Sequence, residues 1–146
     1  MTEQLTDEDM QKLSAQHDAY QARAEAVAAQ IDAIQTSLFE CEHASNTVDS
    51  LSDAEGADAL VPIGAGSFIH AKIAKPDRAI VNLGAGVAAE MSADAARDCL
   101  TDREEKLTKI LAEMNTTLED LMKRVQAIQT EANKQVQARQ ADQAYI

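Results

Sequence analysis

The chain has 146 residues, only 3% of them aromatic, and a formal net charge of −12. So few aromatics suit a compact globular core poorly, whereas the abundance of Ala, Leu, Gln and acidic residues suits long helices and coiled coils. The acidity argues against sequence-independent nucleic-acid binding, which needs clustered Lys and Arg facing phosphate, and against docking on anionic membranes.

The acid is unevenly placed. Residues 1–52 carry ten acidic and two basic side chains, residues 53–92 five and three, and residues 93–146 ten and eight. The charge of the first segment fits a solvated helix face, a salt-rich cytoplasm or a surface for basic partners. Met1 to Asp9 is polar and acidic, unlike a secretory signal. No apolar run approaches the ~20 residues that span a bilayer. The expectation is a cytoplasmic protein with neither nucleic-acid nor membrane partners.

The first element opens at Thr6, an N-cap candidate with Glu8 and Asp9 in the turn that follows. Apolar or small residues then recur at 3-4 spacing: Met10, Leu13, His17, Tyr20, Ala24, Val27, Ile31, Ile34, Leu38, Cys41, Ser45 and Val48. A helix over about residues 7–52 would run ~70 Å at 1.5 Å per residue. No small core covers a helix of that length, so it needs a partner helix along its side. Cys41 falls on the stripe as a small buried residue. Cys99 lacks metal-ligand spacing to any His, and two cysteines make no disulfide framework.

The connector, about residues 58–91, contains a repeat. Val61-Pro62-Ile63-Gly64-Ala65-Gly66 returns twenty residues later as Val81-Asn82-Leu83-Gly84-Ala85-Gly86. Strands are predicted at Leu60–Ile63 and Ser67–Ile73, then at Ala79–Leu83 and Val87–Met91, with Lys75-Pro76-Asp77-Arg78 as the turn between the halves. Gly64, Gly66, Gly84 and Gly86 serve as hairpin bends, where glycine tolerates positive φ. Pro62 suits an edge strand or a strand end. Isolated hairpins are marginal and their open edges invite pairing. Val61, Ile63, Phe68, Ile69, Ile73, Ile80, Val81, Leu83 and Val87 are therefore the expected subunit-assembly residues.

The last element, about residues 93–140, starts at Ser92 as N-cap with Asp94 in the first turn. Leu100, Leu107, Leu111, Met114, Leu118, Leu121, Val125, Ile128 and Ala132 continue the 3-4 spacing, interrupted by Glu104. Two helices of matching length, joined by some forty residues, can fold back on each other. The fold class that follows is mainly α: one domain over residues 1–146, a long antiparallel helical coiled-coil hairpin with two tandem β-hairpins in its connector. Toward the open end the seam includes His17 and Ala24 on one side and Gln135 and Arg139 on the other, which loosens knobs-into-holes packing. Leu5, Met10, Leu13, Val136, Tyr145 and Ile146 lie near that end without obvious mates. A splayed tip with accessible apolar groups is expected there.

Catalytic and cofactor readings are weak. Ile80 to Ala89 matches a strand followed by G-x-G-x-x-A, the dinucleotide fingerprint. Its repetition twenty residues earlier leaves no room for a crossover helix, and only heptad helix follows. His17, His43 and His70 fall on different elements, and Glu104-Glu105 and Asp7-Glu8-Asp9 read as solvated charge runs. No catalytic, cofactor-binding or metal residue is assigned, and no enzyme activity is expected.

A helix, then Leu60 to Gly66, then Val81 to Val87 with Glu90, then a second long helix resembles the α class of archaeal prefoldin over nearly the whole chain. Its most specific part is the doubled hairpin, since the β class has one. The resemblance implies an ATP-independent chaperone subunit in a hexamer of two α and four β subunits, with hairpins joined into β-barrels. It further implies coiled-coil tips that hold non-native proteins and pass them to a group II chaperonin. The family's tips have no strict motif, so the tip residues above rest on the seam pattern alone. A structural or adaptor coiled coil without chaperone activity is the alternative.

Overall fold

The computed structural model describes residues 5–51 and 53–145. Its elements run α1 (Asp7–Leu51), β1 (Asp58–Gly64), β2 (Ser67–Lys72), β3 (Arg78–Gly84), β4 (Val87–Ser92) and α2 (Ala93–Ala144). Order and type match the sequence expectation, with ends moved by a few residues; the expected end of the first helix, Ser52, lies outside the described residues. The chain divides into two compact units, Met1–Gln35 with Ile110–Ile146, and Thr36–Lys109.

In the first unit α1 and α2 are antiparallel: Leu5 meets Gln135 and Tyr20 meets Arg124. The helix α1 starts with a reciprocal cap. Thr6 Oγ1 accepts the Asp9 N–H at 3.2 Å, and Asp9 Oδ2 accepts the Thr6 N–H at 3.1 Å. This is a capping box with Asp at its third position. The Thr6 hydroxyl and N–H together draw the Asp9 carboxyl below its ordinary range. The seam buries Ala24, Ile31 and Leu121, while Met10, Leu13, His17, Tyr20, Val27, Ile34, Leu118, Val125 and Ile128 are half-buried along it. The 3-4 spacing places these residues on one stripe of each helix.

The second unit holds the other parts of both helices and the two hairpins. Cys41, Ala93, Ala96 and Leu100 are buried there. Arg97 bonds Asp49 across the helices and Asp94 on its own helix at 3.0 Å. The Asp49 carboxylate raises the Arg97 guanidinium above its usual range. Ser92 caps α2 by accepting the Ala95 N–H at 3.1 Å. Glu104, the residue that breaks the apolar spacing, is half-buried, and its Oε1 is buried with no hydrogen-bond partner among the described residues.

The two hairpins are built alike. β1 pairs with β2 and β3 with β4, both antiparallel, as two separate two-stranded sheets. Gly64 pairs with Ser67 and Gly84 with Val87, so each loop proper is two residues, Ala65-Gly66 and Ala85-Gly86. Both residues of each loop have positive φ: 50° and 71° in the first, 52° and 76° in the second. That is the type I′ signature, whose twist matches flanking strands. The register shifts between Pro62 and Gly64, and again between Asn82 and Gly84, placing Ile63 and Leu83 at β-bulges. The bend thus falls one residue later than the glycines alone suggest, and an alanine occupies a left-handed position in each.

Three measurements follow. Asn tolerates the left-handed region better than Ala, and a Cβ at Gly66 or Gly86 meets nothing within 4 Å, so only backbone strain counts. Ala65→Asn should therefore stabilise by a few tenths of a kcal/mol to about 1 kcal/mol, and Gly66→Ala should destabilise by about 1 kcal/mol, read by urea denaturation. Glu104→Leu removes a stranded acceptor and restores the apolar spacing, so it should stabilise by about 1–3 kcal/mol, with an unchanged or lower melting temperature counting against the seam account. The Asp9 carboxyl is lowered in the fold. Its contribution is therefore complete above the ordinary value of 3.8 and is lost as pH falls through the lower folded value. Acid titration should free the Thr6 amide to exchange in that window, and Asp9→Ala should abolish the pH dependence.

Candidate functional site

Two surfaces stand out, one in each unit. In the second unit, alternation along paired strands gives each hairpin two faces. Val61 opposite Ile69 shares a face with Ala59 opposite Ala71; Leu60 opposite His70 shares the other with Pro62 opposite Phe68. Large apolar residues on both faces are exposed: Val61, Ile69, Leu60 and Phe68. In the second hairpin Ile80 is 76% exposed, with Leu83 and Val87 also open. Contiguous apolar surface of this kind marks an interaction site, and the unpaired strand edges add free main-chain donors and acceptors. Leu60, not among the residues expected from the sequence, is open like its twenty-residue counterpart Ile80, which was.

Two of the expected assembly residues lie elsewhere. Val81 is 6% exposed against 42% for its repeat partner Val61, so it belongs to the chain's own packing. Its hairpin is tied down: the Arg103 guanidinium donates to the Asn82 carbonyl, and the Ala93 N–H to the Asp77 carbonyl at 2.7 Å. Ile73 is half-buried just beyond β2. It lines a cavity of about 330 Å³ with Val48, Leu51, Pro76 and Ala79, and its main chain bonds Ala57 and Gly56. The Gly-Ala-Gly segments are hairpin tips followed by β2 and β4, so the helix N-terminus that a phosphate cradle requires is absent at both.

In the first unit, the open end of the helices departs from the expected splaying. Gln135 is 3% exposed. Its Oε1 accepts the Leu5 N–H at 3.2 Å and its Nε2 donates to Glu131 at 3.0 Å. Arg139 donates from Nη2 to the Leu5 carbonyl and from Nη1 to the Asp7 carboxylate, both at 2.7 Å. Arg124 donates to the Tyr20 hydroxyl at 3.2 Å and stands 5.6 Å from its ring centroid. The polar seam residues therefore fasten this end, because each finds a partner for its buried or half-buried donors and acceptors. Of the predicted tip residues, Leu5, Met10 and Leu13 are half-buried. Val136 is exposed and Tyr145 is 94% exposed; Ile146 lies outside the described residues.

Among the described residues no group of His, Cys, Asp or Glu could hold a metal ion, and no helix is long and apolar enough to cross a membrane.

A model of the prefoldin subunit family matches residues 20–138. The chain is similar to the prefoldin subunit alpha of Methanosarcina mazei, 40% identical over 131 residues that cover 87% of this chain and 92% of the relative. It is also 40% identical over 142 residues to that of Methanosarcina barkeri, covering 94% and 99%. Identity to that of Pyrococcus horikoshii is 30% over 135 residues, covering 91% and 90%. A filamentous prefoldin from Methanocaldococcus jannaschii, solved by cryo-electron microscopy, superposes with a TM-score of 0.69 at 24% identity, covering 81% of this chain and 98% of its own. That last likeness carries the fold; sequence identity running through both helices and both hairpins makes this chain a member of the prefoldin family.

Proposed function

We propose that this chain is an ATP-independent molecular chaperone subunit that holds non-native proteins at the open end of its coiled coil and delivers them to a group II chaperonin. The observation that carries the reading is 40% identity to archaeal prefoldin alpha subunits over 87–94% of the chain. Residues 1–146 act as one prefoldin domain in the cytoplasm. It assembles with prefoldin beta subunits as a hexamer of two alpha and four beta chains. The open hairpin residues Leu60, Val61, Ile63, Phe68, Ile69, Ile80, Leu83 and Val87 supply the assembly surface. Exposed apolar side chains beside unpaired strand edges support this, since a partner strand satisfies both at once.

Clients are gripped by Leu5, Met10, Leu13, Val136, Tyr145 and Ile146. Each such contact is weak. Several coiled coils acting on one client raise the effective affinity by multivalency while leaving every contact easy to release. Nothing is driven uphill, so the activity needs no nucleotide and no catalytic group.

Mixing the chain with a one-hairpin beta-class subunit should give a hexamer by native mass measurement, and the complex should suppress aggregation of a denatured protein. Deleting the first ten and last ten residues should leave the hexamer mass unchanged and remove most of the suppression. Clients still held by the truncated complex would show that the grip lies elsewhere. A complex that ignores unfolded proteins and binds one folded target would be a scaffold.

A further inference from the structure

We propose that Gln135 and Arg139 form a subsite that reads the main chain of an extended client segment, and that Leu5 of the chain itself fills it. The inference rests on the client-holding function proposed above and names the chemistry by which the open end would recognise a client.

Leu5 precedes the capping box of α1 and belongs to no helix or strand. Its N–H goes to Gln135 Oε1 at 3.2 Å and its carbonyl accepts from Arg139 Nη2 at 2.7 Å. Residues four apart on a helix share a face, so one surface of α2 offers an acceptor and a donor to the two main-chain groups of a single residue. Side-chain identity does not enter such bonds. Strand-addition modes of peptide binding gain affinity from the main chain in the same way, and a protein that must hold many unrelated sequences needs that indifference.

The two side chains are prepared for the task. Gln135 is 3% exposed, and its Nε2 is already given to Glu131 at 3.0 Å. Its Oε1 is thus aimed as an acceptor, and a buried amide oxygen without a partner is costly. Arg139 is anchored by Asp7 through Nη1, which leaves Nη2 for a carbonyl. Departure of Leu5 strands the buried Gln135 Oε1 unless another peptide takes its place, while the partly exposed Arg139 Nη2 stays available to a carbonyl. Yet that departure breaks no helical bond: the Thr6–Asp9 cap starts α1 one residue later. Leu5 acts here as an internal stand-in for a client, and exchange replaces bonds in kind.

The test uses the assembled complex and two fluorescent ten-residue peptides of alternating Leu and Ser, one unmodified and one N-methylated on its backbone, followed by anisotropy. Methylation removes main-chain donors and leaves the side chains. The wild-type complex should bind the unmodified peptide about three- to tenfold more tightly, the ratio that one main-chain hydrogen bond supports. Gln135→Leu, which fills the same buried position with an apolar side chain, should erase that difference. Leu5→Pro has no N–H to give to Gln135, so it should tighten binding of the unmodified peptide. Equal affinity for both peptides in the wild type, or weaker binding by Leu5→Pro, would overturn the subsite while leaving the client-holding function standing. Failure of the wild-type complex to bind either peptide or to suppress aggregation would instead overturn the client-holding function, and the subsite with it.

Discussion

In each unit the paired parts of α1 and α2 have one seam in which to bury apolar surface, and much else in this chain follows from how thin that seam is. The buried apolar residues include Ala24, Ile31, Cys41, Ala93, Ala96, Leu100 and Leu121, four of them Ala or Cys. Each such side chain removes little area from water, so burial within the chain is small for its length. Polar contacts at intervals along the seam help to fix it: Asp49 to Arg97, Tyr20 to Arg124, and Leu5 to Gln135 and Arg139. The exposed pairs among them, Asp49 to Arg97 and Tyr20 to Arg124, contribute little energy each. Within each unit their effect is on register, since a slide of one turn breaks them.

The hairpins continue the same economy. The two hairpins share four of six residues around their bends and fold with the same turn and the same bulge, yet their surroundings differ. Val81 is packed and Val61 is open. Arg103 reaches the Asn82 carbonyl of the second hairpin. Local sequence makes the two hairpins alike; a contact from α2 ties down the second, while the first keeps large apolar side chains exposed on both faces. Apolar surface left open beside unpaired strand edges suits contact with another chain.

Much was legible in the sequence because it rests on neighbours along the chain. Thr6 and Ser92 cap the helices where expected, and Asp9 and Asp94 sit in the first turns. The doubled glycine motif located both bends, although the left-handed alanines were not anticipated. Glu104 was visible as a break in the spacing; that its Oε1 is buried and unpartnered was not. The least legible feature was the open end, where Gln135 and Arg139 looked like weak points of the seam.

The sequence by itself determined the helices, the strands, the bends and the family, because apolar period, cap residues and turn chemistry act within a few positions of one another. Only the tertiary structure decided which hairpin is anchored, which of the predicted assembly residues are spent inside the chain, and what the polar seam residues bond. The physical reason is separation: Leu5 and Gln135 stand 130 positions apart. A hydrogen bond between a main-chain N–H and a distant amide leaves no periodic mark in the sequence, whatever it contributes once the fold brings the two together.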